Sequence, residues 1–256
     1  MNIDFFSEHS IESDFIFNQK FLPFLAKRGV ENKDKCIEFF QRDLGFINTA
    51  LKMLFSDQAN YFDSLIENLP ITFLNLDHVG IEVFGPLSFY KVLIQDYFLY
   101  QDWKLIKEKT FPSNQVYNLL KRFDPHLSGV MITKLYFQNS KNLQKRCFEL
   151  FQASSKEGTP QSVFFTDLRL SSQEDQGCIP INHVAFEVDK KNLKKIFEFF
   201  SNNESSFSSC EPHISHNPYD DSYQMKIISQ RKLLDPAIRI LEFISYRSKA
   251  NFSVVN

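Results

Sequence analysis

Apolar and polar positions alternate with a period of two in two short stretches that share a motif. In Leu76-Asp77-His78-Val79-Gly80-Ile81-Glu82-Val83, the apolar Val79, Ile81 and Val83 alternate with His78, Gly80 and Glu82. The same alternation recurs in Ile181-Asn182-His183-Val184-Ala185-Phe186-Glu187-Val188, with the second His 105 positions after the first. Both stretches predict half-buried strands, with the His, the small residue and the Glu on one face. Gly80 or Ala185 leaves space beside an imidazole. The His and Glu of one strand lie roughly 13 Å apart, so each strand can offer a shared metal only its His.

Helical periodicity fills much of the remainder. Residues 1–70 read as mainly helical: Ile37, Phe39, Phe40 and Leu44 form one stripe, which Leu51, Leu54, Phe55, Phe62, Leu65, Ile66 and Leu69 continue. Asp34 is the expected N-cap, and Pro70 ends the run. Gly85-Pro86 opens a second helix with the face Leu87, Tyr90, Leu93, Ile94 and Tyr97. Gln115–Phe123 and Gly129–Phe137 read as strands, Leu143–Phe151 as a helical connector and Val163–Leu170 as a further strand. Asp189 caps a helix whose inner face is Leu193, Ile196, Phe197 and Phe200, with Lys190, Lys191, Lys194 and Lys195 on its solvated side. A polar loop over Asn202–Asp221 leads to strands at Tyr223–Gln230 and Ile238–Tyr246. Two strand-helix-strands units predict an internal duplication. The expected fold is α+β: two tandem βαβββ-like modules (71–140 and 181–256) form a cupped mixed sheet, with an N-terminal helical segment (1–70) and a connector (141–180).

Composition narrows the class. The 256 residues are 43% hydrophobic, enough for a sizeable core. Phe is abundant at 29 and Gly scarce at 7, so aromatic bulk fills that core. A net charge of −2 with interspersed signs argues against a nucleic-acid or polyanion binder. Cys36, Cys147, Cys178 and Cys210 are scattered and read as reduced thiols. There is no basic, apolar signal sequence and no apolar run near the roughly 20 residues of a membrane helix. The expectation is a soluble cytoplasmic protein that does not engage membranes; specialised bacterial secretion, which need not leave such a mark, stays open.

Glu242 is the informative acid. Ile238, Ile240 and Ile244 share its strand face and Leu241 and Phe243 occupy the other, so the strand reads as buried on both sides. An ionised carboxylate there is costly unless it is paired, hydrogen-bonded or metal-bound. His78, His183 and Glu242 together make a two-His-one-carboxylate set with open positions. The other reading has two satisfied strand histidines and Glu242 paired with an Arg such as Arg239. His213 and His216 read as loop residues, His126 as a turn residue and His9 as part of a tail. The sequence contains no Gly-rich phosphate loop, Gly-x-Ser-x-Gly elbow or HExxH.

The duplicated plan, with a His early in each half, resembles the vicinal oxygen chelate (glyoxalase-type) superfamily. Within it, LDHVGIEVF, PINHVAFEV and YQMKIISQRKLLD followed by RILEFISYR resemble the 2-oxoadipate dioxygenase/decarboxylase group over about residues 72–247. The resemblance implies His78, His183 and Glu242 as metal ligands, Fe(II) as the metal and O₂-dependent decarboxylation of a small 2-oxo acid. It places Arg231 and Arg247 near the site, where they can grip a carboxylate. Two positions depart from the group. Glu82 stands where the group has an Arg, and Thr133-Lys134-Leu135 replaces a Ser-Glu-Leu, as if one charge pair had exchanged signs. Glu82 therefore faces the substrate region with the wrong sign for 2-oxoadipate. The rival expectations are a non-redox isomerase, epimerase or lyase using Zn, Mn, Ni or Co, and a non-catalytic binding derivative of the fold.

Overall fold

The structure is a computed structural model. It describes residues 19, 21–26, 32–55, 69–71, 75–96, 102–114, 117, 121, 125–139, 147–155, 182–202, 214–217, 221–228 and 240–247. Eight strands pair into one mixed sheet: β1 (Asn75–Glu82), β2 (Trp103–Pro112), β3 (Val130–Asn139), β4 (Cys147–Ser155), β5 (His183–Glu187), β6 (Ile214–Asn217), β7 (Ser222–Ile228) and β8 (Ile240–Tyr246). Their order is β2-β3-β4-β1-β5-β8-β7-β6. Each half contains a parallel pair, β1 with β4 and β5 with β8, and the antiparallel β1–β5 pair joins the halves. The α+β duplication expected from the motifs is therefore present in the strand order itself.

The four described helices are α1 (Leu22–Ala26), α2 (Lys33–Phe55), α3 (Leu87–Asp96) and α4 (Lys190–Asn202). In α2 the buried Cys36, Phe40, Leu44, Ile47, Leu51 and Leu54 recur at helical spacing and pack over β1 and β4. α3 lies against β2 and β4, and α4 against β7 and β8. Beneath them one sheet face is apolar, carrying Val79, Ile81, Phe148, Leu150, Val184, Phe186, Leu241 and Phe243 in a single core with the helices. Phe186 stacks on Phe243, and Phe21 meets Phe40, Phe89 and Tyr90 edge-on. Strict alternation sends His78, Glu149, His183 and Glu242 to the opposite face.

That second face is concave. Lys107 on β2 and Gln224 on β7 line one small cavity, yet β2 and β7 lie six places apart in the sheet. In a flat sheet they would be about 29 Å apart, so the sheet must curl around the polar residues.

Several local expectations change. Asn32, not Asp34, caps α2: its Oδ1 accepts from the Asp34 and Lys35 N–H groups, and its carbonyl accepts from Cys36 N–H. The described part of Leu143–Phe151 is strand, not helix. From Cys147 onward it is β4, paired on both sides. Cys147, Phe148, Leu150 and Phe151 put apolar residues on both faces of the strand, and that spacing fits a helix as well. The described part of Gln115–Phe123 is a helical turn, with Tyr117 and Lys121 N–H groups bonding four residues back; the strand is β2, whose exposed positions include Lys104, Glu108 and Thr110. Asp189 caps α4 as expected, its Oδ1 accepting from Asn192 N–H at 2.7 Å. The expected strand at 163–170 lies outside the described residues. No helix among the described residues is long and apolar enough to cross a membrane.

Candidate metal centre

Antiparallel pairing of β1 with β5 sets His78 opposite Ala185 and Gly80 opposite His183. Each imidazole thus faces the small residue of the other motif copy. The two rings are edge-to-face, with Nε2 of His78 3.0 Å from Nε2 of His183. His78 is further held by its neighbour: Nδ1–H donates to Asp77 Oδ2 at 2.7 Å, leaving the Nε2 lone pair for the pocket. Tyr246 O–H donates to the same Asp77 oxygen at 3.1 Å. The ring of Phe151 packs beside His183.

Two carboxylates complete the cluster. Gly80 pairs with Glu149 on β4, and Ala185 pairs with Glu242 on β8, so the duplication supplies one Glu per half. Glu242 Oε2 lies 3.6 Å from His183 Nε2 and 4.0 Å from His78 Nε2. Glu149 lies 3.8 Å from each, through Oε1 to His183 and Oε2 to His78. One ligand atom from each of His78, Glu149 and His183 lies within 4.8 Å of the others, a spacing that can hold a metal. Each carboxylate also has a lysine. Lys134 Nζ is 2.8 Å from Glu149 Oε1 and 3.0 Å from Oε2, and Lys226 Nζ is 3.6 Å from Glu242.

These neighbours set the protonation states. Burial pushes the Glu149 carboxyl up, but Lys134 and the two histidines outweigh it and hold the group at about 2. Glu242 is lowered in the same way, Lys226 and the histidines prevailing over burial. Burial drives His183 down to about 3 against the attraction of Glu149 and Glu242. Burial acts on His78 too, yet the hydrogen bond to Asp77 and the nearby carboxylates raise it. Ionised carboxylates beside a neutral His183 are the forms that bind a metal.

The donor set fits a divalent ion. Ligands about 2.1 Å from one centre stand about 3 to 4.2 Å from each other in common geometries, and the separations here run from 3.0 to 4.0 Å. Oε1 of Glu149 is buried and accepts no hydrogen bond of acceptable geometry despite the nearby Lys134. Two imidazoles with one or two carboxylates suit Fe, Zn, Ni, Co or Mn.

The other expected residues fall elsewhere. Glu82 is buried at the end of β1, with its N–H donating to Asn182 Oδ1, and it is not among the residues lining the small cavity at the histidines. Lys134, set against Glu82 by the apparent charge exchange, pairs with Glu149. Arg247 lines a separate, larger cleft; Arg231 and Arg239 lie outside the described residues. His216 is exposed on β6 beside Asp221. The sequence reading missed Glu149. Its signal was available: Phe148-Glu149-Leu150 repeats the apolar-Glu-apolar pattern of Leu241-Glu242-Phe243.

The fold and site can be set beside known proteins. No family model matches the sequence, and no curated protein matches it. Among solved structures, a methylmalonyl-CoA epimerase is similar at 11% identity over 68% of this chain and 95% of its own, with a TM-score of 0.38. A 4-hydroxymandelate synthase from Streptomyces coelicolor is 12% identical over 72% of this chain and 51% of its own, with a TM-score of 0.41. A glyoxalase family protein from Bacillus cereus is 13% identical over 69% and 96%, with a TM-score of 0.25.

Proposed function

We propose that the protein is a divalent-metal enzyme acting on a small oxygen-chelating acid. The observation that carries this is the convergence of His78 and His183, with Nε2 atoms 3.0 Å apart, on the carboxylates of Glu149 and Glu242. A bound ion would act as a template for the acid and, as Fe(II), as an electron donor to O₂. Asp77 fixes the tautomer of His78, and Phe151 shields His183 from water. Lys107 and Lys134 line the cavity beside Asp77, Glu149 and Glu242, so a bound divalent ion would supply the positive charge that an anionic head group needs.

The number of carboxylates that bind decides the chemistry. Lys134 donates to Oε2 of Glu149 and lies 2.8 Å from its Oε1, which favours His78, His183 and Glu242 as the ligands. Three open positions then suffice for a chelating 2-oxo acid and O₂, which supports an Fe(II) dioxygenase/decarboxylase. The second reading rests on the near-equal approach of Glu149 and Glu242 to the histidines. Four protein ligands leave only two positions, which a chelating acid fills, and that supports a non-redox isomerase, epimerase or lyase with Zn, Mn, Ni or Co.

Elemental analysis of protein purified without a chelating tag tests the proposal. About one equivalent of divalent metal, lost in His183→Ala, is the expected result. Iron with substrate-dependent O₂ uptake selects the first chemistry; another metal without uptake selects the second. A metal-free protein that does not take up metal on addition overturns both and leaves a lysine-neutralised cluster in a non-catalytic binding protein.

A further inference from the structure

Tyr246 lines two cavities of very different size. The one at His78, Glu149 and Glu242 has a volume of about 20 Å³, enough for about one water. The other, around the start of α4 and the ends of β5 and β8, has a volume of about 580 Å³, within the usual range of ligand sites. A substrate whose reacting end reaches the histidines has no room for its body in the smaller cavity, and the larger cleft shares Tyr246 with it. The Tyr246 hydroxyl donates to Asp77, which lines the smaller cavity.

The charges of the cleft are unequal in availability. Asp189 is used by α4: Oδ1 accepts from Asn192 N–H and Oδ2 from the Asn192 side chain at 3.1 Å. Glu187 Oε2 accepts from Asn75 Nδ2 at 3.4 Å. The cations are less committed. Lys190 Nζ and the Arg247 guanidinium lie 5.3 and 5.6 Å from the centre of the same Tyr223 ring. Lys190 makes no ion pair among the described residues. Arg247 is 3.6 Å from Asp221, with both side chains about half exposed, a pairing of little strength. The rest of the lining is the polar side chains of Asn75, Asn192 and Ser245, the rings and hydroxyls of Tyr223 and Tyr246, and Val188 as its one aliphatic residue.

We propose that this cleft binds a hydroxylated small-molecule anion, a sugar acid or sugar phosphate, with its acidic group between Lys190 and Arg247. One aliphatic side chain returns little for burying a flexible acyl chain, whereas the tyrosine rings with the amides and hydroxyls beside them match the apolar face and polar edge of a polyol. Lys190, on the sequence pattern a solvated helix residue, becomes a binding residue because α4 begins at the cleft. As the substrate site of the metal enzyme the cleft rests on the function proposed above; as an anion site it stands alone.

The test titrates the full chain, with metal and after chelation, with glucose 6-phosphate, gluconate and hexanoate, followed by calorimetry. At least one of the two polyol anions is expected to bind at least tenfold more tightly than hexanoate. Which of them binds more tightly separates the phosphate from the carboxylate form. Lys190→Gln and Arg247→Gln should each weaken binding at least fivefold, Arg247→Lys should largely retain it, and Lys194→Gln on the exposed side of α4 should leave it unchanged. Thermal unfolding confirms that each variant is folded. Equal binding by the Gln variants, hexanoate matching the polyols, or no binding by the folded wild type overturns the proposal. Anion binding in a protein that takes up no metal overturns the metal enzyme alone; metal uptake without anion binding overturns the cleft alone.

Discussion

The imidazole of His183 occupies the space that a side chain at Gly80 would fill: a Cβ there would overlap Cε1, Nε2 and Nδ1 of the ring. Gly80→Ala should therefore push His183 away from His78. The expected cost is about 1–3 kcal/mol from overpacking, together with loss of metal. Urea unfolding and metal analysis of the variant check this. Full metal occupancy would show that His183 does not need this position.

Glu149→Gln and Glu242→Gln separate the two ligand sets. If Glu242 alone ligates, only its variant loses metal; if both ligate, each loses at least tenfold in affinity. Competition with a coloured chelator measures it.

In the four-ligand reading, Lys134 and the metal are alternative partners for Glu149. Lys134→Met should destabilise the metal-free protein by about 3 kcal/mol, because it leaves a buried carboxylate uncompensated. The same change removes a competing cation, so added metal should raise the melting temperature more in the variant than in the wild type. Equal shifts would show that the lysine and the metal do not compete.

Asp43 on α2 ties the first helical layer to the β1–α3 turn. Its Oδ2 accepts from Phe84 N–H at 2.7 Å, Gly85 N–H at 2.9 Å and Tyr90 O–H at 2.8 Å. Asp43→Ala strands these donors in the interior and should cost about 3–5 kcal/mol. Denaturant unfolding at neutral pH gives the value, and a cost under about 1 kcal/mol would mean that water replaces the carboxylate.

The same contact makes a pH prediction. Burial and the charge of Asp43 hold the Tyr90 phenol well above its usual 10, so the folded state keeps a proton that the unfolded chain releases. This contribution is fully present below pH 10 and is lost as the pH rises from there through the folded value. Stability should fall more steeply above pH 10 in the wild type than in Tyr90→Phe.

The sequence by itself determined the elements whose pattern has a distinct period. The His-x-small-x-Glu alternation of β1 and β5, the stripe of α2 and the Asp189 cap of α4 are local features, decided by side-chain spacing and capping chemistry. The duplication was visible because both copies need a small residue where the other's imidazole must fit. Tertiary structure alone decided what the buried middle of the sheet contains. Cys147–Ser155 carries apolar residues on both faces (Cys147 and Phe151 on one, Phe148 and Leu150 on the other), so its period is hidden, and only pairing with β1 and β3 makes it a strand and aims Glu149 at the histidines. Charge pairing was equally non-local: whether Lys134 meets Glu82 or Glu149 depends on how β3 registers against β4. The cleft beside Tyr246 arises where the ends of β5 and β8 meet the start of α4, and no window of sequence contains those pieces together.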